Sequence, residues 1–306
     1  DPALPGEAGQ ASAAAKVVAA IDIDRRITSV YEVNHGITPR CQTLESIREI
    51  PAADLWWLSP PCQPYTRRGR QRAELDPRSS ALEHLIDLIR DDCPALIGLE
   101  NVPPFAGSIH HKHLTQVLND AGYSIHADVL CPTQWGIPMR RPRFYLRARR
   151  DGRPIMPLRI ARRGRPLNSF LDSQAWQDES MRLSPEILDR YRSAMDVVEA
   201  NDPSAQAACF TSAYGKSPVR SGSYLRCAER GVTRRFTPRE ITRLMGFRDG
   251  FRWPVDLDRR AKYALIGNSL CVTVARPLLA SLVDDKQACS ESVNQRDAPI
   301  SPDIDC

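Results

Sequence analysis

Short apolar runs alternate with helical patterns along the first half of the chain, and this alternation limits the folds that it can adopt. Three runs are predicted to be strands: Val17–Asp24, Ala53–Pro60 and Ala95–Asn101. Between the second and third, Ser80–Arg90 is predicted to be a helix, because its apolar residues recur at helical spacing. Strands that alternate with helices are typical of an α/β fold with a doubly wound, mostly parallel sheet. We therefore expect this fold class.

Capping residues predict where helices begin. Ser80 with Glu83 matches a capping box at the start of the first helix. Thr237 with Glu240 matches a second one. The four residues HHKH, 110–113, are interpreted as a solvated loop entering a helix rather than a metal site, because partner ligands at zinc-site spacing are missing. The alternation continues at His113–Asn119 (helix) and near Ile125–Leu130 and Phe144–Arg147 (strands).

Three chemically useful side chains stand at the ends of the predicted strands: Asp22, Cys62 and Glu100. The carboxyl ends of parallel strands meet at one edge of a sheet, and α/β proteins bind their ligands there. The sequence therefore predicts a functional site that combines these three residues.

Arginine dominates the basic residues of the chain. It accounts for 37 of the 42 lysines and arginines, and the formal net charge is +5. Its planar guanidinium suits phosphates and base edges, so one interpretation is a polyanionic partner; a GC-rich genome explains the composition equally well. The nine cysteines are scattered and form no CxxC pair, which favours a reducing compartment over a disulfide framework or a zinc ribbon. No apolar run looks long enough to span a bilayer, so we expect no membrane partner. Because ligands at zinc-site spacing are missing, we also expect no bound metal.

Cys62 lies in the stretch LSPPCQPYTRRGRQ, preceded by two prolines and followed by a Gln-Pro pair. A cysteine after a strand is ordinarily a structural residue. Prolines on both sides, however, keep the loop rigid, as a preorganised nucleophile requires. A basic segment follows at once, and nearby positive charge favours the reactive thiolate. We therefore interpret Cys62 as a candidate nucleophile.

Glu100 and the paired arginines Arg141 and Arg143 complete a set that suits one reaction. A thiolate that adds to C6 of cytosine makes C5 nucleophilic, provided that the ring nitrogen N3 is protonated as charge develops. Glu100 is the candidate acid, and a solvated or capping carboxylate is the alternative interpretation. An arginine at the O2 edge would assist the polarisation. The base must also leave its stack, because neither of its faces is open within a helix.

Five motifs resemble, in order and across nearly the whole chain, those of the cytosine-C5 methyltransferases: PPCQPYT, ENV, RRPRFY, TPREITRLMGF and IGNSLCVTV. CFTSAYGKS, with VVAAIDID and the short recognition region, is similar to one branch of that superfamily, the eukaryotic DNA-methyltransferase-like enzymes that methylate tRNA. The resemblance implies a class I, Rossmann-like methyltransferase fold with S-adenosylmethionine as cofactor. It also implies a target cytosine at position 38, in the anticodon loop of aspartate tRNA.

The resemblance further implies a role for each matching residue. Cys62 would be the nucleophile and Glu100 the acid at N3. Arg143, supported by Arg141, would contact the base. Asp22 would accept the ribose hydroxyls of the cofactor. The other cofactor-side residues that it implies are Leu44, Glu45, Ser59, Asn268 and Ser269, and the substrate-side residues are Arg67, Arg68, Arg70, Cys209, Phe210 and Thr211.

The pattern of the chain changes after Arg150. Residues 151–235 are rich in Arg, Ser, Pro and Gly and contain one clear helix near Ser184–Ala194, which predicts a smaller, less regular domain. The expected parts are an N-terminal segment that is disordered or helical (1–16), a catalytic cofactor-binding domain (17–150), a small target-recognition domain (151–235), a C-terminal return to the catalytic domain (236–284) and a disordered tail (285–306).

One part of the family pattern has no match. The family opens with a strand and a glycine-rich turn, F-x-G-x-G in form, which would lie at or before Asp1. Gly6 and Gly9 have the wrong spacing and no strand ahead of them, so we interpret them as linker residues. We therefore expect the first strand and the glycine turn to be missing and cofactor binding to be weakened.

Three functions remain open from the sequence. The leading one is a monomeric tRNA cytosine-C5 methyltransferase of the cytoplasm, and also of the nucleus. The second is a DNA cytosine-C5 methyltransferase with the same chemistry. The third is a non-catalytic RNA-binding remnant that lost its cofactor turn.

Overall fold

The computed structural model describes residues 15–61, 77–160 and 164–283, with the backbone alone at 77–79. The predicted N-terminal segment up to residue 14 and the predicted tail from residue 284 lie outside the described residues. The strands are β1 (Ile21–Asp22), β2 (Arg40–Cys41), β3 (Leu55–Leu58), β4 (Leu96–Asn101), β5 (Ser124–Leu130), β6 (Arg143–Arg149), β7 (Asp196–Glu199), β8 (Ser223–Cys227) and β9 (Val232–Arg235). The α-helices are α1 (Arg25–His35), α2 (Pro77–Asp92), α3 (Ile109–Asp120), α4 (Pro185–Arg190), α5 (Pro238–Leu244), α6 (Arg259–Asn268) and α7 (Val272–Val283).

The largest sheet has four strands in the order β3-β4-β6-β5. β3 and β4 are parallel, whereas β6 runs antiparallel to both of its neighbours. A separate parallel pair consists of β1 and β2. The α/β prediction is confirmed, but the sheet is mixed: residues 131–142, between β5 and β6, contain a single 3-10 turn, and antiparallel neighbours need no helical crossover.

Helices cover both faces of this sheet. On one face, α2 and α3 pack on an apolar core that includes Trp56 of β3 and Phe144 of β6. On the other face, α7 contacts β4 and β6, and Trp57 and Tyr145 join a second core. Adjacent residues of one strand thus point to opposite faces, as the pleat requires. Gly98 of β4 makes room for the Trp57 ring, because a Cβ there would lie 2.5 Å from it. The doubly wound arrangement is confirmed.

Two helices begin earlier than predicted. α2 begins at Pro77, where the fixed φ of proline suits a first turn, so Ser80 lies inside the helix and the predicted capping box with Glu83 is wrong. α3 begins at Ile109, so the histidines at 110–113 lie in its first turns and not in a loop. Among the described residues, no group of three His, Cys, Asp or Glu side chains could hold a metal ion.

The first predicted strand is shorter and less buried than its apolar sequence suggests. Of Val17–Asp24, only Ile21–Asp22 forms β1, which pairs with β2. The side chains of Val17 and Val18 are about half exposed. The prediction of a buried strand over the whole run is therefore wrong for the described part of the chain, because backbone pairing covers two residues.

Part of the predicted recognition region forms a second sheet with the order β7-β8-β9. α4 ends at Arg190, earlier than predicted, because a turn follows and leads into β7. The sheet shares one apolar core with the helices after it, since Leu225 of β8, Ile241 of α5 and Val274 of α7 all belong to that core. α5 begins with the predicted Thr237 capping box. The predicted domain boundaries stay a prediction.

The segment Arg259–Val283 is long and apolar enough to cross a membrane by length and composition, with a mean hydropathy of 1.5 in its most apolar window. The expectation that no apolar run is long enough to span a bilayer is therefore wrong by length and composition. In the fold it is divided into α6 and α7. Tyr263, Ile266 and Leu278 from it are buried in the shared core, and 39% of its most apolar stretch is buried within the protein.

Candidate active site

The carboxyl ends of β3 and β4 lie side by side. The strands pair in parallel with Leu58 opposite Leu99, so the residues that follow them emerge at one edge of the sheet. The buried Asn101 side chain donates a hydrogen bond of 3.4 Å to the Pro60 carbonyl. It thus holds the segment that leads to the predicted nucleophile. The predicted residues Cys62, Arg67, Arg68 and Arg70 lie outside the described residues.

Glu100 is the carboxylate at this edge. Its side chain and that of Arg143, at the start of β6, are 12% and 15% exposed, and Arg143 Nε lies 3.2 Å from Glu100 Oε1. Burial raises the pKa of Glu100, although the guanidiniums of Arg143 and Arg141 act against this. A carboxyl group with a raised pKa holds its proton at a higher pH than an exposed one does, which is what a general acid requires.

Arg141 is buried, and its guanidinium is used within the protein. Nη1 donates to the carbonyl of Phe210 at 2.9 Å and to Sγ of Cys209 at 3.3 Å. Nη2 donates to the carbonyls of Gly267 at 3.2 Å and Ser269 at 2.5 Å. Arg141 therefore cross-links the residues before β6 to two segments that are distant in sequence. Its expected support of the base-contacting arginine stays a prediction.

The segment 209–211 is divided between the site and the core. The structure brings Cys209 to the arginines, with its Sγ 3.7 Å from Arg143 Nη2. Phe210 is 1% exposed and packs edge-to-face on Phe236. Its ring therefore has a core position rather than the substrate-facing position that the sequence predicts. The side chain of Thr211 is half-buried.

Asp22, the predicted ribose-binding residue, ends β1. Its Oδ1 accepts a hydrogen bond of 2.8 Å from the backbone N–H of Asp24, and Asp24 in turn caps α1 by accepting from the N–H of Arg26. Burial is the main cause of the raised pKa of Asp22. A carboxylate has about four acceptor sites on its two oxygens, so the Asp22 side chain retains capacity for the two hydroxyls of a ribose. The residue present at this position fits that group.

The other predicted cofactor-side residues lie in three separate segments. Leu44 and Glu45 form a one-turn 3-10 helix, with Leu44 packed against the core under β3 and Glu45 exposed. Ser59 is exposed after β3. Asn268 ends α6 and is exposed, and Ser269 caps that helix by donating its hydroxyl to the carbonyl of Ile266. Arg141 connects this last segment to the arginine motif.

The structure adds two residues that the sequence analysis did not single out. Asn101 fixes the approach to the predicted nucleophile, and the available signal is its place beside Glu100 in ENV. Gly267 lets α6 approach the segment after Thr211, because a Cβ there would lie 2.1 Å from the backbone nitrogen of Ser212. The available signal is a glycine directly before the predicted Asn268.

Comparisons with known proteins agree with this geometry. A family model described as C-5 cytosine-specific DNA methylase matches residues 6–284. A tRNA (cytosine(38)-C(5))-methyltransferase of Schizosaccharomyces pombe is 28% identical, with 88% of this chain and 90% of that protein covered. The Homo sapiens protein of the same name is 27% identical, with 88% and 93% covered. A DNA (cytosine-5)-methyltransferase of Dictyostelium discoideum is 25% identical, with 89% of each covered.

Solved structures are similar over the same length. The Entamoeba histolytica methyltransferase EhMeth superposes with a TM-score of 0.77 at 27% identity and covers 87% of this chain and 89% of that one. The S. pombe Dnmt2 methyltransferase superposes with a TM-score of 0.76 at 27% identity and covers 87% and 90%. The residues matched by the family model, 6–284, include both sheets and the C-terminal helices.

Proposed function

Because the chain belongs to the C-5 cytosine-specific DNA methylase family, whose members use S-adenosylmethionine as methyl donor, we propose that it methylates C5 of a cytosine in tRNA. The proposed target is the cytosine at position 38, in the anticodon loop of aspartate tRNA. Two curated relatives named for tRNA cytosine 38 support this choice, since each is similar over most of its length. The observation that carries the reaction type is the buried Glu100 in contact with Arg143.

The proposed roles follow the chemistry of cytosine. The Cys62 thiolate forms a bond to C6, and Glu100 gives its proton to N3. The ring then carries no negative charge and is enamine-like, so C5 is nucleophilic. S-adenosylmethionine, when bound, supplies the methyl group that C5 accepts. A base then removes the C5 proton, breakage of the C6–S bond regenerates the Cys62 thiolate, and N3 returns its proton to Glu100. Arg143 would contact the O2 edge of the same base, and its distance of 3.2 Å from Glu100 supports this role.

We propose that the cofactor binds beside the residues that contact the base, at the end of β1. Asp22 would accept the ribose hydroxyls with the acceptor capacity that its contacts to the backbone of Asp24 and Ile23 leave. Ser269, held by Arg141, would help to close the pocket near the base. The raised pKa of Asp22 implies that ribose binding weakens as the pH falls through that pKa, because a protonated carboxyl accepts hydrogen bonds less strongly.

A basic cavity supports a polyanionic substrate. Its volume is about 370 Å³, and its lining includes Arg235 of β9 with Arg259 and Arg260 at the start of α6. Arg259 is also held by the carbonyl and hydroxyl of Ser180. Asp258 also lines the cavity, so three arginines there face one acidic residue, and the excess positive charge suits a backbone phosphate. We expect the affinity for tRNA to fall steeply with salt for this reason, with Arg67, Arg68 and Arg70 as further contributors.

DNA methylation is the second candidate, because the family description and one of the relatives name DNA. The two functions are separated by offering transcribed aspartate tRNA and duplex DNA of the same local sequence to the purified chain with labelled S-adenosylmethionine. We expect transfer to tRNA and little to DNA. Transfer to DNA alone would contradict the proposed substrate while leaving the chemistry intact.

The nucleophile is tested by trapping. RNA that carries 5-fluorocytosine has no removable proton at C5, so the C6–S bond should persist as a protein–RNA adduct. We expect this adduct with the native chain and none with Cys62→Ala. An adduct of undiminished yield in Cys62→Ala would exclude Cys62 as the attacking group.

A further inference from the structure

The active-site pocket holds more positive charge than its carboxylate can neutralise. Arg141 is 2% exposed and the Arg143 side chain 15%, so both guanidiniums are largely removed from water. Arg141 is bonded to three neutral carbonyl groups. In the described part of the chain, the carboxylate in contact with this pair is Glu100, which reaches Arg143. A buried charge without a counter-charge is strongly unfavourable.

Cys209 is placed to supply the missing negative charge. Its sulfur lies 3.3 Å from Arg141 Nη1 and 3.7 Å from Arg143 Nη2, so it contacts both guanidiniums. Cys209 is partly buried, and Arg141 and the Cys209 sulfur both lie against the carbonyl of Phe210, at 2.9 and 3.7 Å. Neutral sulfur is a weak acceptor, whereas a thiolate forms charge-assisted hydrogen bonds.

The other titratable groups that face the pair stay neutral. Burial raises the pKa of Tyr145, on β6 beside Glu100, and also that of Cys271, before α7. Burial would raise the pKa of the Cys209 thiol as well, but the guanidiniums of Arg141 and Arg143 outweigh it and lower that pKa. The negative charges of Cys209 and Glu100 in turn hold the pKa of Arg143 above its usual value, although burial opposes this.

We propose that Cys209 is a thiolate in the resting protein and the counter-ion of Arg141 and Arg143, and that it thereby keeps Glu100 able to donate a proton to N3. The last part rests on the proposed function. Cys209 forms no bond to the base in this scheme; it is a positioning residue that acts through the arginines. When Glu100 carries its proton, the thiolate still compensates one guanidinium, and the second is free to face the O2 edge.

Removal of the Cys209 thiolate should lower the pKa of Glu100. Two guanidiniums with no counter-ion other than Glu100 stabilise its ionised form and lower its pKa. The acid form of Glu100 is then lost at a lower pH. The basic limb of the pH–rate profile should therefore move toward lower pH, by on the order of one unit for a charge removed at this range in a partly buried site.

The charge state of Cys209 is tested first, without substrate. Thiolates absorb near 240 nm, so a pH titration of Cys62→Ala is compared with that of Cys62→Ala/Cys209→Ser. We expect the second protein to lack one thiolate that is present in the first at neutral pH. Identical titrations below pH 8 would overturn the proposal, whatever the enzyme methylates. If the double variant lacks this thiolate but the native chain methylates no nucleic acid, the proposed function is wrong while the charge state of Cys209 stands.

The effect on Glu100 is tested by single-turnover methylation across pH. Cys209→Ser should shift the basic limb down by about one unit, a roughly tenfold loss of rate on that limb. Cys209→Asp, which restores a negative charge, should return the limb toward its native position. Cys227→Ser, a buried cysteine of β8, is the control for loss of a buried sulfur and should leave the profile unchanged. An unshifted profile in folded Cys209→Ser would contradict the proposed role.

Discussion

Within the described residues, a largely buried glutamate–arginine pair occurs in two places, and the two pairs serve opposite purposes. Glu240, in the first turn of α5, and Arg234, on β9, are both completely buried and bind through two contacts of 2.7 and 2.8 Å. Glu240 also accepts the backbone N–H groups of Thr237 and Asp172. Glu100 has one contact to Arg143, at 3.2 Å.

The difference lies in how much of each carboxylate is already used. Four donors saturate Glu240, and the Arg234 guanidinium also lies 4.2 Å above the Trp176 ring. These contacts lock β9 to α5. Glu100 retains acceptor capacity and has a pKa raised by burial. The same pair of residue types therefore makes a structural cross-link in one place and a candidate acid in the other.

The largest expected effect is kinetic and falls on Glu100. Glu100→Gln keeps the shape of the side chain but cannot transfer a proton, so the methylation rate should fall by about two to four orders of magnitude. Binding of tRNA, measured by fluorescence anisotropy, should change little, as should the urea midpoint. Near-native single-turnover rates would mean that Glu100 is structural, like Glu240.

The reverse is expected of Glu240→Gln. The substitution leaves the Arg234 charge buried without its partner, so the free energy of unfolding should fall by about 3–5 kcal/mol in urea titrations. Glu179→Gln is the control, because that carboxylate is 85% exposed and lies 3.7 Å from Arg182; its change should stay below about 1 kcal/mol. If Glu240→Gln and Glu179→Gln lower the free energy of unfolding equally, the buried contacts of Glu240 contribute no special stability.

Asp22 extends the comparison to a third carboxylate, which resembles Glu100 in having spare acceptors. Asp22→Asn removes the charge that would receive the ribose hydroxyls, and loss of charge-assisted hydrogen bonds should weaken S-adenosylmethionine binding roughly 10- to 100-fold in calorimetry. Asp54→Asn, at an exposed position before β3, should bind as the native chain does. Unchanged affinity in Asp22→Asn would place the cofactor elsewhere.

The smallest effect tests whether the arginine cross-link depends on close backbone packing. Gly267→Ala would drive a methyl group to 2.1 Å from the Ser212 nitrogen, and the overpacking should cost about 1–3 kcal/mol, more than the roughly 1 kcal/mol of helix propensity that alanine gains. Gly250→Ala meets nothing within 4 Å and should stay within about 0.5 kcal/mol. Equal thermal stability of the two variants would show that the segment after Thr211 can move without cost.

Much of the local architecture could be predicted because its signals span only a few residues. The capping box of α5 is written in four consecutive positions, Thr237 to Glu240, and the structure has it. The strand that ends at Asn101 follows from a run of apolar residues. The same kind of signal was insufficient at Ser80, because Pro77 offered an earlier helix start that a capping motif does not exclude.

The α/β class and the carboxylate at the end of β4 follow from local patterns in the chain, since the spacing of apolar residues and the ends of strands are local properties. The direction of β6 follows from the assembled fold, because it depends on hydrogen bonds to β4 and β5 rather than on the residues of β6 itself. Only the tertiary structure, likewise, buried Phe210 and brought the Cys209 sulfur to Arg141, 68 residues away in sequence. The balance of charge around Glu100 is a sum over side chains from distant segments, and no local pattern of residues encodes such a sum.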